Sequence, residues 1–249
     1  RLSILMYHQI GRFEPMRAHR ANYCDAGRFA RQMALLAYGG FQVISLERAL
    51  AGLYGQQRLP PRAVLLTFDD AYANFVEHAL PVLVAHRFPA VVYAISDWLG
   101  QRMRWAERAP GRAEPTLMSA AQLRLLPEAG ICVGSHGASH RKLAELTPAE
   151  QFAELTRSRM ALEDLLGQPV RDLCYPFGRF HRDTVRLAAE AGYRSAMTCL
   201  RGAATEADHP LVLPRKAISF GDNLLGFGWK LVKHRPKPAL EEWRRWPLT

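Results

Sequence analysis

Short apolar runs rich in β-branched residues alternate along this chain with longer segments of helical periodicity. The runs predict eight strands, at residues 2–8, 41–44, 63–68, 90–95, 131–135, 172–175, 195–199 and 212–218. The segments between them predict helices at residues 26–37, 75–86, 120–129, 148–166 and 182–191. Strands that alternate with helices are typical of parallel βα units. Seven or eight such units favour an α/β fold closed into a barrel, with an open doubly wound sheet as the alternative.

Charge and composition narrow the classes of partner. The chain has 33 Lys and Arg against 23 Asp and Glu, a formal charge of +10. This charge favours anionic partners, although an arginine-rich solvated surface is the simpler explanation. No basic block with interleaved aromatic residues occurs, so we expect no nucleic-acid partner. No apolar run reaches the roughly 18 residues that a membrane-spanning helix needs.

Two adjacent carboxylates close the third predicted strand. In a barrel of parallel strands the working residues lie at the carboxyl ends of the strands. Asp69 and Asp70 follow an apolar run there, where paired carboxylates are costly unless they are compensated or bound to metal. One can bind a cation while the other acts as a base. The alternative is a helix N-cap followed by an acidic residue in the first turn.

Two histidines follow the fifth predicted strand with a spacing of four. One helical turn over this stretch would point the imidazoles of His136 and His140 in the same direction, as a metal ion requires. Two histidines and one aspartate form a set of three ligands that leaves positions open for water and substrate. The alternative is a pair of ordinary surface or core histidines.

The sixth predicted strand ends at Tyr175, and Pro176 and Phe177 follow it. Proline ends a strand, and the glycine that follows permits a turn. The simple interpretation is a tight turn. The functional interpretation is an aromatic groove wall with a free backbone amide that stabilises an oxyanion.

The motifs TFDD at 67–70, SHGASH at 135–140 and YPFG at 175–178 together resemble the polysaccharide deacetylase family (carbohydrate esterase family 4). The resemblance implies a distorted (β/α) barrel with about seven parallel strands, and metal-dependent hydrolysis of an acetyl group on a glycan. We expect the N-acetyl group of an amino sugar as the target, with an O-acetyl group as the alternative.

The resemblance also implies roles for single residues. Asp69 resembles the general base, and Asp70, His136 and His140 resemble the ligands of a divalent metal. Zinc is the expected metal, with cobalt or nickel as alternatives. The backbone amide of Tyr175 is expected to bind the oxyanion, and the set expected to contact substrate is Tyr175, Pro176 and Phe177.

The chain departs from the family pattern near the site. Ala71 stands where members often have glycine, and Gly137 where serine or threonine commonly braces the loop, a role that Ser139 could take over. Cys174 stands where many members have an arginine paired with the base. We therefore expect the base to lack a cationic partner.

Many members of the family supply the general acid from a Leu-x-His motif near the C-terminus. No such motif follows Cys199 in this chain, so the general acid is not evident. Three other histidines are candidates: His8, His181 and His209. His8 ends the first predicted strand and should face the barrel mouth, so it is the first to test.

The C-terminal segment differs in composition from the rest. We expect a barrel domain over residues 1–223 and a basic amphipathic tail over 224–249, because residues 224–237 mix Trp, Leu and Phe with Lys and Arg. Such a stretch can contact an anionic membrane surface peripherally. The alternative is a tail packed on the barrel.

Two other functions remain open at this point. One is hydrolysis of a cyclic amide or imide within the same superfamily. The other is a carbohydrate-binding protein with impaired catalysis. The cell envelope is the favoured location, with the cytoplasm or the membrane periphery as alternatives.

Overall fold

The computed structural model describes residues 1–16, 19–104, 114–233 and 236–245. This part of the chain contains ten strands and eight α-helices. The strands are β1 Ser3–Tyr7, β2 Gln9–Gly11, β3 Tyr23–Asp25, β4 Gln42–Val43, β5 Ala63–Phe68, β6 Ala90–Ala94, β7 Ile131–Ser135, β8 Asp172–Cys174, β9 Ser195–Arg201 and β10 Leu213–Ala217. The helices are α1 Ala26–Tyr38, α2 Leu46–Tyr54, α3 Leu80–His86, α4 Ala120–Leu125, α5 Pro148–Leu166, α6 Arg182–Glu190, α7 Leu224–Val232 and α8 Pro238–Arg244.

Seven parallel strands close into a barrel. Their order is β1-β10-β9-β8-β7-β6-β5, and β5 pairs with β1 to complete the ring. This closing pair runs from Ser3 opposite Val64 to Tyr7 opposite Phe68. The short strand β4 adds to β5 outside the ring, and β2 and β3 form a separate two-stranded sheet. The predicted parallel barrel is confirmed, and the open sheet is wrong.

The strands are buried on both faces, which explains their nearly continuous apolar sequences. In β5, Val64, Leu66 and Phe68 pack in the layer between the strands and the helices. Ala63 and Leu65 belong to a second cluster inside the barrel. Helix α2, which the sequence analysis did not predict, contributes Leu46, Ala49 and Leu53 to that interior cluster.

Helix boundaries follow local capping. The Thr147 side chain accepts from the Glu150 amide and Glu150 binds the Thr147 amide in return, so α5 begins at the predicted residue. Gly167 ends it at φ +65°. The predicted helix 75–86 is instead a π-helical turn, Phe75–Ala79, followed by α3. The predicted helix 120–129 divides likewise, because α4 gives way to a 3₁₀ turn at Pro127.

The C-terminal segment packs on the barrel. Phe227 and Leu231 of α7 are buried in the core layer. The Ser3 hydroxyl, at the start of β1, donates to the Leu231 carbonyl oxygen over 3.3 Å. Of the predicted tail, residues 234–235 and 246–249 lie outside the described part of the chain. Within that part, no helix is both long and apolar enough to cross a bilayer.

Candidate metal centre and active site

The predicted site residues lie together at the carboxyl ends of the barrel strands. Asp69 and Asp70 directly follow β5, and His136 directly follows β7. Tyr175 follows β8, and His8 follows β1. Because all ring strands are parallel, their carboxyl ends share one mouth of the barrel.

The polar ends of the Asp70, His136 and His140 side chains lie close to one another at this mouth. Asp70 Oδ1 lies 3.2 Å from Nε2 of His136 and 3.2 Å from Nε2 of His140. The residues are only 5%, 3% and 5% exposed, respectively. Bonds of about 2.1 Å to one metal ion separate two ligand atoms by about 3.4 Å at a tetrahedral angle and about 3.0 Å at an octahedral angle. The observed spacing therefore fits a divalent cation.

The orientation of His136 strengthens this fit. Its Nδ1 lies 2.7 Å from the Cys174 carbonyl oxygen and must donate to it. In the neutral imidazole this bond leaves a lone pair on Nε2, which faces the carboxylate oxygen of Asp70. Two acceptors at this distance repel unless a cation or proton lies between them. Apart from the two imidazoles, the described residues offer Oδ1 no hydrogen-bond donor.

The loop that carries the histidines is not the expected helical turn. Residues 136–140 have no regular structure, and Gly137 and His140 take left-handed backbone angles, with φ of +75° and +61°. Ser139 braces this loop, because its hydroxyl and its amide donate to the two carboxylate oxygens of Glu154 on α5, over 2.8 and 2.9 Å. The expectation of a helix was wrong because two left-handed residues within five break helical geometry.

The turn after β5 is also left-handed. Asp70 and Ala71 have φ of +70° and +53°. Asp tolerates this region, whereas alanine is strained there, which is why glycine suits the position of Ala71. The amide of Met118 donates to the Ala71 carbonyl oxygen over 2.8 Å and ties the turn to a neighbouring loop.

Asp69 has a cationic partner that the sequence analysis did not find. The guanidinium of Arg215 on β10 donates to both of its carboxylate oxygens over 2.7 Å each. The expectation that the base lacks a cation was therefore wrong. Burial raises the pKa of Asp69, but the guanidinium of Arg215, together with the nearby imidazoles of His8 and His136, holds that pKa below its ordinary value. Asp69 is thus an ionised carboxylate at neutral pH.

Arg215 is fully buried and fully bonded. Besides Asp69, it donates to the Thr198 carbonyl oxygen, to Thr67 Oγ1 and to Cys174 Sγ. A sequence signal was available, because an arginine inside the apolar run 212–218 is costly unless an acid neutralises it. The arginine also engages the oxygens of Asp69 and the sulfur of Cys174, which leaves Asp70, His136 and His140 as the set open to a metal.

Of the three candidate acids, only His8 faces Asp69. Its Nε2 lies 3.8 Å from Asp69 Oδ2, and its ring is partly exposed. His181 instead caps α6, where its Nδ1 accepts from the Thr184 amide. Nδ1 of His209 accepts from the amide of Leu211. These two histidines have local structural bonds, and His8 lies at the mouth.

The third motif differs from expectation in one respect. The Tyr175 amide donates to the Met197 carbonyl oxygen within the sheet, and its side chain is buried. Its expected role at an oxyanion is therefore wrong. Pro176 has no amide proton, and the Gly178 amide donates to the Tyr175 carbonyl oxygen. Among the residues that the structure describes, none accepts a hydrogen bond from the Phe177 amide. Phe177 has φ of +58°, and its ring lies 4.4 Å from that of His140.

Known proteins resemble this chain in sequence and in fold. A family model for polysaccharide deacetylases matches residues 56–196. YxkH of Bacillus subtilis (strain 168), which carries the provisional name of a polysaccharide deacetylase, is 27% identical over 228 residues, covering 92% of this chain and 75% of that protein. A poly-β-1,6-N-acetyl-D-glucosamine N-deacetylase of Escherichia coli (strain K12) is 37% identical over 68 residues, 27% of this chain and 10% of that protein.

The fold recurs in solved structures. The deacetylase PplD of Streptococcus pyogenes, solved with acetate, superposes with a TM-score of 0.81 at 24% identity. The match covers 93% of this chain and 98% of that one. A similarity at this level of identity concerns the barrel and its connections.

Proposed function

Because the chain belongs to the polysaccharide deacetylase family, which hydrolyses acetyl groups on glycans, we propose that it removes the N-acetyl group of an amino sugar. In this proposal Asp69 is the general base, and Asp70, His136 and His140 hold a divalent metal. The observation that carries this proposal is the different pairing of two adjacent carboxylates. Asp69 is held by an arginine, whereas Asp70 faces two imidazole nitrogens.

The metal ligands fit zinc chemistry. Nitrogen and carboxylate ligands in a set of three leave positions open for water and substrate. A bound cation would polarise the acetyl carbonyl and lower the pKa of a water molecule. We propose zinc, and cobalt and nickel share the same ligand preferences.

The protein's own groups supply the proton transfers. Asp69 accepts a proton from the attacking water, and Arg215 orients its carboxylate through two parallel hydrogen bonds. His8 then protonates the departing amine from its place beside Asp69. The Phe177 amide stabilises the oxyanion, since the other amides of that turn are occupied. The exposed ring of Phe177 and the adjacent Pro176 form the groove wall.

Replacing His8 with glutamine should lower kcat about 10²-fold or more while metal content stays unchanged, because glutamine keeps polarity but cannot deliver a proton. Turnover of acetylated oligomers and bound metal would be measured in parallel. The matched control is His181→Gln, at a histidine that caps α6. Wild-type turnover in His8→Gln would remove His8 from the mechanism.

Stripping the metal should stop acetate release from acetylated amino-sugar oligomers, and reloading with zinc, cobalt or nickel should restore it. Acetate would be quantified across oligomers of increasing length. Release that survives complete chelation would contradict the metal-dependent mechanism. Cleavage of cyclic amides without any acetate release would favour the cyclic amide or imide hydrolase instead.

A purely carbohydrate-binding protein is not favoured, because the base has its cation and a histidine lies beside it. The partner that we propose is a glycan, and the proposed location is the cell envelope.

A further inference from the structure

Helix α7 is apolar on both of its faces. Its inner face buries Phe227 and Leu231 in the core. Its outer face carries Leu225, Trp229 and Val232, which are 85%, 62% and 57% exposed. A helix on the surface of a barrel ordinarily turns polar side chains to water. These three residues, spaced i, i+4 and i+7, form a continuous apolar line that we call the outer stripe.

Cations lie at both ends of the outer stripe. At its C-terminal end, Lys233 is exposed, with its Nζ 5.5 Å from the centre of the Trp229 ring. At its N-terminal end, the exposed Arg31 and the half-buried Arg28 of α1 line a cleft of about 310 Å³ together with Leu225. Asp222 lines the same cleft, but its carboxylate pairs with Lys230 of α7, so the arginines keep a net positive charge there. The stripe is therefore bordered by positive charge on a chain whose formal charge is +10.

The stripe runs along the side of the barrel from the end that carries the mouth. Helix α7 follows β10, whose carboxyl end lies at the mouth, and ends beside Ser3 at the opposite end of β1. A flat surface that contacts the stripe would leave the mouth uncovered.

We propose that the outer stripe and its flanking cations dock this protein on an anionic phospholipid surface. Leucine and valine side chains enter the boundary of the acyl chains, and tryptophan settles at the headgroup level. Lysine and arginine extend beside them to the lipid phosphates. This inference is independent of the catalytic assignment.

The charges argue against a second copy of the chain as the occupant. A twofold contact places the same patch against itself, so the cations at the two ends of the stripe would face cations. An anionic lipid surface neutralises both ends at once.

The test is co-sedimentation of the full chain with phosphatidylcholine vesicles that either contain or lack phosphatidylglycerol, at low and high salt. We expect binding to the anionic vesicles, weakened by salt. The variant Leu225→Ser/Trp229→Ser should bind about tenfold or more weakly, given the apolar area withdrawn from the lipid. Arg31→Gln and Lys233→Gln should each weaken binding about fivefold.

The matched control is Leu125→Ser/Met160→Ser, at two exposed apolar side chains on α4 and α5. It should bind vesicles like the wild type. All variants should keep the wild-type Tm and acetate release from soluble oligomers, because none lies at the site. The proposal is overturned if the wild type does not bind anionic vesicles or if the stripe variant binds them as well as the control does. It is also overturned if light scattering shows a dimer that the stripe variant abolishes.

Discussion

Asp70→Ala should abolish both metal binding and acetate release. The carboxylate oxygen of Asp70 lies 3.2 Å from two imidazole nitrogens, so its removal leaves only two ligands on a loop. Two ligands do not complete the set of three that a catalytic zinc site uses. Metal content after dialysis and turnover under added zinc would both be measured. Full metal stoichiometry in this variant would refute the ligand assignment.

The neighbouring residue provides the matched comparison. Asp69→Asn should keep the metal, because Arg215 rather than the ligand set holds this side chain. It should lose about 10²–10⁴-fold in turnover, the usual cost of removing a general base. The two variants together would then show that Asp70 binds the metal and that Asp69 transfers the proton. Near wild-type turnover in Asp69→Asn would exclude it as the base.

Arg215→Met should destabilise the fold by about 3–5 kcal/mol, because it leaves the buried carboxylate of Asp69 without its cation. The free energy of unfolding would be measured in urea with the metal removed, so that ligand binding does not contribute. The double variant Arg215→Met/Asp69→Asn should regain part of the lost stability, since no buried charge is then unpaired. It should remain inactive because the base is gone.

The matched control for this pair is Arg186→Met. Arg186 pairs with Glu190 on the surface of α6, where both side chains are about half exposed. Such pairs contribute about 0–1 kcal/mol. Equal losses in Arg215→Met and Arg186→Met would show that the buried pair is not important for stability.

Elements with strong local signals were predicted to the residue. Strands β5 and β7 match their predicted bounds because both are apolar runs ended by polar residues. Helix α5 matches because its start is capped by its own side chains and its end is a left-handed glycine. Helix α2 was missed, although Ser45 caps its start, because its short apolar face is explained only by the barrel interior that it contacts.

The site likewise has features that the local sequence determines and features that only the tertiary structure determines. The sequence alone determined the alternating strands and helices, the pair Asp69–Asp70 and the histidines that follow β7, because each depends on residues close in the chain. Only the tertiary structure decided which carboxylate faces the imidazoles and which pairs with Arg215, 146 residues away. It also decided that the Tyr175 amide donates its hydrogen bond to a carbonyl oxygen of β9. These outcomes depend on the closure of the barrel, where β10 joins β1 and places side chains distant in sequence within hydrogen-bond distance.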